Sequence, residues 1–133
     1  MFGPELSKKR RGRGKGKKKT KSLKVMYNNI NGYFTKKESL FKIVDSVDPD
    51  ILALCETKKS KGIKKDDLSS YEIVERTLKA GKEGLMVCVR KGSFNTLKDV
   101  TDTELKQLLT VRIFYPSVTL QVIVCHAPQC KGR

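Results

Sequence analysis

The sequence predicts an α/β sandwich that begins with one strand–helix–strand crossover and continues as antiparallel hairpins. Two short apolar segments flank a segment with helical spacing of its apolar residues, which is the pattern of a crossover between parallel strands. Later apolar segments of strand length alternate with turns rich in glycine, proline and serine, which is typical of hairpins. A length of 133 residues with 38% apolar residues suits one small domain.

The predicted crossover joins two strands, residues 23–27 and 51–55. The second of these is almost continuously apolar, as expected for a strand that is covered on both faces of its sheet. Asn31-Gly32 follows the first strand and permits a left-handed turn before the helix. Because the connection is a right-handed crossover, we expect the two strands to be parallel and to end at the same edge of the sheet.

The helix between these strands has predicted start and stop signals. Thr35 and Glu38 have the spacing of a capping box, so we expect the helix to begin at Thr35. Proline disfavours helical geometry in the residue before it, so Asp48-Pro49 should end the helix. The apolar face is predicted to contain Leu40, Phe41, Val44 and Val47.

The second half of the chain is predicted to consist of a loop and two hairpins. Residues 58–70 are polar and lysine-rich and are expected to form a loop. Residues 71–77 and 85–90 form the first hairpin, since a glycine-containing segment joins two apolar strands. Residues 105–114 and 119–125 form the second, with a Tyr-Pro-Ser turn between them.

Positive charge is concentrated at the N-terminus. The chain has a net charge of +15, and residues 1–22 have ten lysines and arginines against one glutamate, a net +9. This segment has almost nothing to bury, so we expect a disordered basic tail followed by a folded region, residues 23–133. The excess of positive charge favours a polyanionic partner, in particular nucleic acid. The basic clusters Lys8-Lys9-Arg10-Arg11 and Lys17-Lys18-Lys19 resemble nuclear-localisation signals.

Several classes of protein are not supported. No apolar run approaches the ~20 residues needed to span a bilayer, and no apolar segment follows the N-terminal charges as in a secretory signal, so we expect no membrane partner. The four cysteines lack C-x-x-C spacing and suit a reducing compartment. With the basic N-terminal clusters, this favours a nuclear protein, with the cytoplasm as the alternative. The sequence contains no phosphate-binding glycine loop and no Ser/His/Asp arrangement.

Polar residues at the ends of the two parallel strands are the candidate site. Glu56 comes directly after the second strand, and Asn29 follows the first. Carboxylate and other oxygen ligands are what Mg²⁺ prefers, and parallel strands bring such residues to one edge of a sheet. Read on their own, Glu56 could equally be an exposed acid at a strand end and Asn29 a turn residue.

Four motifs follow one another along the chain. They are Asn29-x-Asn31-Gly32, Pro49-Asp50-Ile51-x-x-Leu54-x-Glu56-Thr57, Gly84-Leu85-Met86-Val87-Cys88-Val89-Arg90 and His126-Ala127-Pro128-Gln129. Their order resembles that of the endonuclease/exonuclease/phosphatase superfamily. The Asn-x-Asn-Gly form and the Ala-Pro-Gln ending are most similar to the apurinic-type endonuclease domains of non-LTR retrotransposons. The resemblance covers nearly all of the chain from Leu23 onward.

The resemblance implies a partial four-layer α/β sandwich (DNase I-like) and a Mg²⁺-dependent endonuclease, with Mn²⁺ as the alternative ion. It implies catalytic roles for Asn29, Glu56 and His126, with Glu56 and Asn29 as the metal-binding positions. Asn31 stands where many members have aspartate, which leaves one carboxylate fewer. His126 occupies a position usually held by tyrosine, and it could instead be a strand-end histidine bound to backbone or water.

The resemblance also implies that part of the site is missing. In the family, an Asp-x-Asn and a terminal Asp-His pair follow the Ala-Pro segment, whereas this sequence ends at Arg133. His126 is the only histidine, so the family's general-base histidine has no counterpart. We therefore expect the N-terminal half of such a domain, inactive alone. Whether the chain is itself an enzyme, its oligomeric state and its sequence preference stay open.

The predicted partner is nucleic acid, most plausibly DNA. Lysine and arginine side chains contact phosphate without reading sequence, and the predicted contacts lie in the tail and directly after Glu56. They are Lys8, Lys9, Arg10, Arg11, Arg13, Lys58 and Lys59. Two alternatives remain at this stage, a basic nucleic-acid-binding protein without catalysis and a phosphoesterase of the same superfamily that acts on small phosphoesters.

Overall fold

A computed structural model describes residues 22–59, 63, 67–79, 83–105 and 107–126 of the chain. The part of the tail within residues 1–21 lies outside this description. Within it there are one helix and seven strands, which are β1 (Val25–Asn29), α1 (Tyr33–Val47), β2 (Ile51–Cys55), β3 (Tyr71–Lys79), β4 (Glu83–Arg90), β5 (Thr96–Asp99), β6 (Leu108–Phe114) and β7 (Thr119–Cys125).

The strands form two sheets. The first sheet has the order β1-β2-β4-β3, in which β1 and β2 are parallel and the other pairs are antiparallel. The second has the order β5-β6-β7 and is entirely antiparallel. The predicted crossover followed by hairpins is therefore confirmed.

The core has two parts, one on each face of the first sheet. All five residues of β2 and the six central residues of β4 are buried, because these central strands are covered on both faces. Side chains such as Ala53 and Val87 face the second sheet and pack against Val111. Their neighbours Leu54 and Met86 face α1. Alternation along the strands thus builds a layered helix–sheet–sheet arrangement.

The helix begins two residues before the predicted position, and the capping-box prediction is wrong. Gly32 is the N-cap, and no side chain caps the helix. The first backbone N–H groups are bonded elsewhere, since Gly32 N–H donates to the Glu56 carbonyl at 2.8 Å and Tyr33 N–H to the Thr57 carbonyl at 2.7 Å. The Thr35 hydroxyl instead donates to the Gly32 carbonyl. Backbone carbonyls of the segment after β2 therefore accept the N–H groups that a capping side chain would otherwise accept.

The other boundaries differ in smaller ways. The helix ends at Val47 as predicted, although the Val47 side chain is 39% exposed. β1 covers 25–29 instead of 23–27, and β5 was not predicted because its four residues are mostly exposed and lack strand periodicity. No helix among the described residues has the length and apolar character to cross a membrane.

The two sheets do not cover each other completely. The second sheet packs against β2, β3 and β4. Val25 and Tyr27 of β1 are on the same face as Ile51 and Ala53, yet they are 60% and 58% exposed. β1 is at the edge of its sheet and β7 at the edge of the other. In the described part of the chain, the inner face of β1 is therefore only partly covered.

A cluster of contacts around Arg90 stabilises the end of the first sheet where β2 begins. Arg90 Nη2 donates to the Pro49 carbonyl at 2.7 Å and to the Asp48 carboxylate. Its guanidinium lies over the Tyr71 ring, 5.3 Å from the centroid. Asp50 is 7% exposed and accepts the Lys24 N–H at 2.9 Å. The cluster ties the end of α1 to the sheet.

Arg90→Gln should lower the free energy of unfolding by about 1–3 kcal/mol, because it leaves partly buried acceptors without their charged donor. Urea unfolding followed by circular dichroism measures the change. Arg112→Gln is the matched control, since Arg112 pairs only with exposed Gln121 in the described structure and should cost less than about 0.5 kcal/mol. Equal losses in the two variants would contradict a structural role for the cluster.

Candidate active site

Two predicted site residues meet at the ends of the parallel strands. Asn29 is the last residue of β1 and pairs in register with Cys55, and Glu56 follows at once. Asn29 Nδ2 donates to Glu56 Oε2 at 3.1 Å, across a separation of 27 positions. The parallel pairing predicted from the crossover is what brings them together.

The third predicted residue arrives from the second sheet. His126 follows β7, and its Nε2 lies 2.9 Å from the same Glu56 Oε2, across 70 positions. Its backbone N–H donates to the Gln107 carbonyl at 3.0 Å, which fixes the chain at this point. Its Nδ1 is buried and has no hydrogen-bond partner within the described residues. Residues from the ends of β1 and β7 thus converge on one oxygen of the carboxylate that follows β2.

The backbone around the site has an uncommon conformation. Asn31, Glu56 and Lys58 have φ values of 49°, 56° and 48°, in the left-handed region. A non-glycine residue held there costs of the order of 1–3 kcal/mol and persists only where the surroundings enforce it. The enforcing contacts are the bonds from the start of α1 to the Glu56 and Thr57 carbonyls. The helix start and the site are therefore one structural unit.

Gly84, from the third sequence motif, supports this unit from the other side. The Gly84 carbonyl accepts the Thr57 N–H at 3.3 Å. A Cβ added at Gly84 would lie 2.2 Å from Thr57 Oγ1, and Thr57 is 3% exposed, so its hydroxyl has little space to move. Glycine at this position lets β4 approach the segment that carries Glu56.

Gly84→Ala should therefore destabilise the protein by about 1–3 kcal/mol, as overpacking of a buried contact does. Thermal unfolding of the single and double variants measures this. Adding Thr57→Ala removes the clashing oxygen, so the double variant should lose less stability than the sum of the two single losses. Simple additivity would show that the Thr57–Gly84 contact is not the cause.

Electrostatics favour the charged form of Glu56. The hydrogen bond from Asn29 lowers the pKa of this carboxyl, burial opposes it, and His126 and the Lys58 ammonium lower it further. The side chain is 24% exposed. A lowered pKa in the folded state contributes stability above the carboxyl's ordinary pKa, and that contribution is lost as the pH falls through the lowered value.

The two lysines after Glu56 have different surroundings. Lys58 donates to Asn31 Oδ1, and its Nζ lies 3.9 Å from Glu56 Oε1. Lys59 is buried, and its ammonium pairs with the Glu75 carboxylate, which leaves little of it for phosphate. Their nucleic-acid contacts stay predictions, as do those of Lys8, Lys9 and the tail arginines, which lie outside the described residues.

Sequence reasoning missed three contributors, Thr57, Gly84 and the pairing of Lys58 with Asn31. Each lies inside or next to a motif, so adjacency to Glu56 was the available signal. Ala127, Pro128 and Gln129, which complete the fourth motif, lie outside the described residues.

The donor set fits Mg²⁺ or Mn²⁺ in part. Mg²⁺ is commonly held by one or two carboxylates together with water and phosphate oxygens. Glu56 offers a carboxylate and Asn29 an amide oxygen, and both are at an open edge of the sheet. No group of three or more His, Cys, Asp or Glu side chains in the described residues could hold a metal ion. The chemistry suits a hard cation, with few protein ligands.

Solved structures of DNA-processing enzymes share the fold. The chain is similar to D. rerio TDP2 complexed with a single-strand DNA product, with a TM-score of 0.59 and 17% identity over 84% of this chain. It is also similar to the Xenopus laevis APE2 catalytic domain, with a TM-score of 0.54 and 20% identity over 82%. A third similar structure is an AP endonuclease from Archaeoglobus fulgidus, with a TM-score of 0.54 and 16% identity over 75% of this chain.

These similarities establish the fold. The expected partial DNase I-like sandwich is confirmed, and the chain spans 48%, 46% and 40% of the lengths of those three structures. No protein-family model and no curated protein sequence matches the chain.

Proposed function

We propose that this chain is the N-terminal half of a divalent-metal-dependent DNA endonuclease. The observation that carries the proposal is the convergence of Asn29 and His126 on one oxygen of Glu56. Asn29 and His126 lie 27 and 70 positions from Glu56 in the sequence, and the stability of a single strand does not require them to meet it. Asn29 and Glu56 lie at the carboxyl ends of the parallel strands β1 and β2, where α/β folds place their sites, and His126 follows β7 of the second sheet.

Each residue has a role in this proposal. Glu56 supplies the carboxylate for the ion. Asn29 and His126 hold that carboxylate in one orientation through Oε2. When bound, Mg²⁺ or Mn²⁺ would polarise the phosphodiester and neutralise charge on the leaving oxygen. The amide of Asn29 orients the ligand without adding negative charge near an anionic substrate.

DNA is the proposed substrate. Two observations support it, the net charge of +15 and the single-strand DNA product in the structure of D. rerio TDP2, to which the chain is similar. The Asn-x-Asn-Gly motif supports descent from a retroelement endonuclease, and the basic N-terminal clusters support nuclear localisation.

A second candidate is a nucleic-acid-binding protein without catalysis. It is favoured by the small number of carboxylates at the site, since Asn31 replaces a potential acidic ligand and donor groups surround Glu56. Its basic charge would serve binding alone.

Plasmid nicking distinguishes the two. We expect the 133-residue chain alone to nick supercoiled DNA no faster than background with Mg²⁺ or Mn²⁺, because the described residues bring one carboxylate to the site and form no group of three or more potential metal ligands. Joined to the C-terminal half of an AP endonuclease, it should nick. EDTA-sensitive nicking by the chain alone would show that the site is complete, and a folded joined protein without nicking would favour the binding protein.

A further inference from the structure

The two oxygens of the Glu56 carboxylate have different surroundings. Oε2 receives two contacts, from Asn29 Nδ2 at 3.1 Å and from His126 Nε2 at 2.9 Å. Neither Asn29 nor His126 makes a hydrogen bond to Oε1. Its neighbour among the described residues is the Lys58 ammonium, at 3.9 Å. The oxygen that is free to bind a cation is therefore the one that faces a positive charge.

Lys58 is held at this position. Its Nζ donates to Asn31 Oδ1, and its backbone has a left-handed φ of 48°. Its side chain is 37% exposed, so the ammonium stays within reach of water. Asn31 accepts this bond without contributing charge. Glu56 and Lys58 thus form a pair with no net charge.

We propose that Lys58 is an internal counterion of Glu56 that opposes cation binding at this site. Glu56 can offer only Oε1 to a divalent ion, and Lys58 must move away before it does so. The affinity of oxygen sites for divalent cations depends on the charge of their ligands. This inference rests on the proposed function, in which Glu56 is a metal ligand, and it adds a residue that sets the affinity.

Mn²⁺ titration of the full 133-residue chain tests the proposal, with free Mn²⁺ measured by electron paramagnetic resonance at low salt. Lys58→Gln should tighten Mn²⁺ binding about fivefold or more, because it removes a unit charge about 4 Å from the ligand oxygen. Asn31→Asp should also tighten it, since the new carboxylate adds a negative charge and competes for Lys58. Glu56→Gln should abolish the site.

The matched control is Lys91→Gln, which removes the same charge from an exposed lysine at the far end of β4. It should leave the affinity within about twofold, because distant exposed charges are screened. Circular dichroism confirms folding of each variant. Lys58→Asn is a second way to remove the Lys58 charge, and it should tighten Mn²⁺ binding as Lys58→Gln does. Asparagine tolerates the left-handed backbone at this position better than glutamine.

The outcomes separate this inference from the proposed function. Unchanged affinity in Lys58→Gln and Lys58→Asn, with binding lost in Glu56→Gln, would overturn the counterion role and leave the metal site. Absence of binding in both Lys58 variants would also overturn it, as would equal tightening by Lys91→Gln. Wild-type affinity in Glu56→Gln would instead overturn Glu56 as the ligand.

Discussion

Removal of residues 1–22 should flatten the salt dependence of DNA binding by several units on a log–log plot. Each neutralised phosphate of duplex DNA contributes a slope of about −0.9, because it releases condensed counterions. The segment has ten lysines and arginines. A protein with about six to ten phosphate contacts loses about 10³–10⁵ in affinity between 50 and 200 mM salt. Fluorescence anisotropy with a labelled duplex at several salt concentrations measures both slopes.

A scrambled tail of the same composition is the control for this experiment. Phosphate contacts position a protein without reading sequence, so the scrambled chain should keep the original slope and affinity. If the truncated chain keeps that slope, the tail is not the binding element, and the charge on the folded part would have to account for binding.

Glu56→Gln should reduce nicking by the joined protein at least about 100-fold. Substitution of residues that only orient a metal ligand typically costs about 10–100-fold in metal affinity or activity, and loss of the ligand's own charge should cost at least as much. Glutamine keeps the shape of the side chain and a hydrogen-bond acceptor for Asn29. Initial nicking rates over a range of Mg²⁺ concentrations would show whether the loss is one of metal affinity.

Glu72→Gln provides a matched comparison in the same joined protein. Glu72 is an exposed acid on β3, and its register partner is Val89, at the other end of β4 from the site. Its substitution should leave nicking unchanged. Nicking that persists in Glu56→Gln would contradict the assignment of Glu56 as the metal ligand, even if the joined protein is an endonuclease.

The meeting of Asn29 with Glu56 was predictable from the sequence, because it follows from chain topology. Apolar continuity in residues 51–55 indicated a central strand, and the proline at position 49 marked the end of the helix before it. A right-handed crossover then leaves little choice about where the strand ends lie. The contact therefore follows from the positions of one helix and two strands and from the handedness of the crossover that joins them.

The details of the site were not predictable in the same way. The helix start depends on backbone bonds to the Glu56 and Thr57 carbonyls, which join segments more than 20 residues apart. A local capping signal at Thr35 could not compete with them. The position of Lys58 depends on a left-handed backbone that the sequence does not mark with glycine. Long-range contacts and left-handed backbone conformations at non-glycine residues do not produce a periodic pattern in the sequence.

The partly covered position of β1 at the edge of the described sheet has a consequence for the protein's behaviour in solution. Among the described residues, β1 has no neighbouring strand on its outer side, so a further strand could pair with it beside the exposed Val25 and Tyr27. The shared net charge of +15 opposes such pairing between identical molecules. A bound polyanion cancels that repulsion. DNA should therefore act as a condensing agent, and complexes near charge neutrality should cluster at concentrations where the free protein stays dispersed.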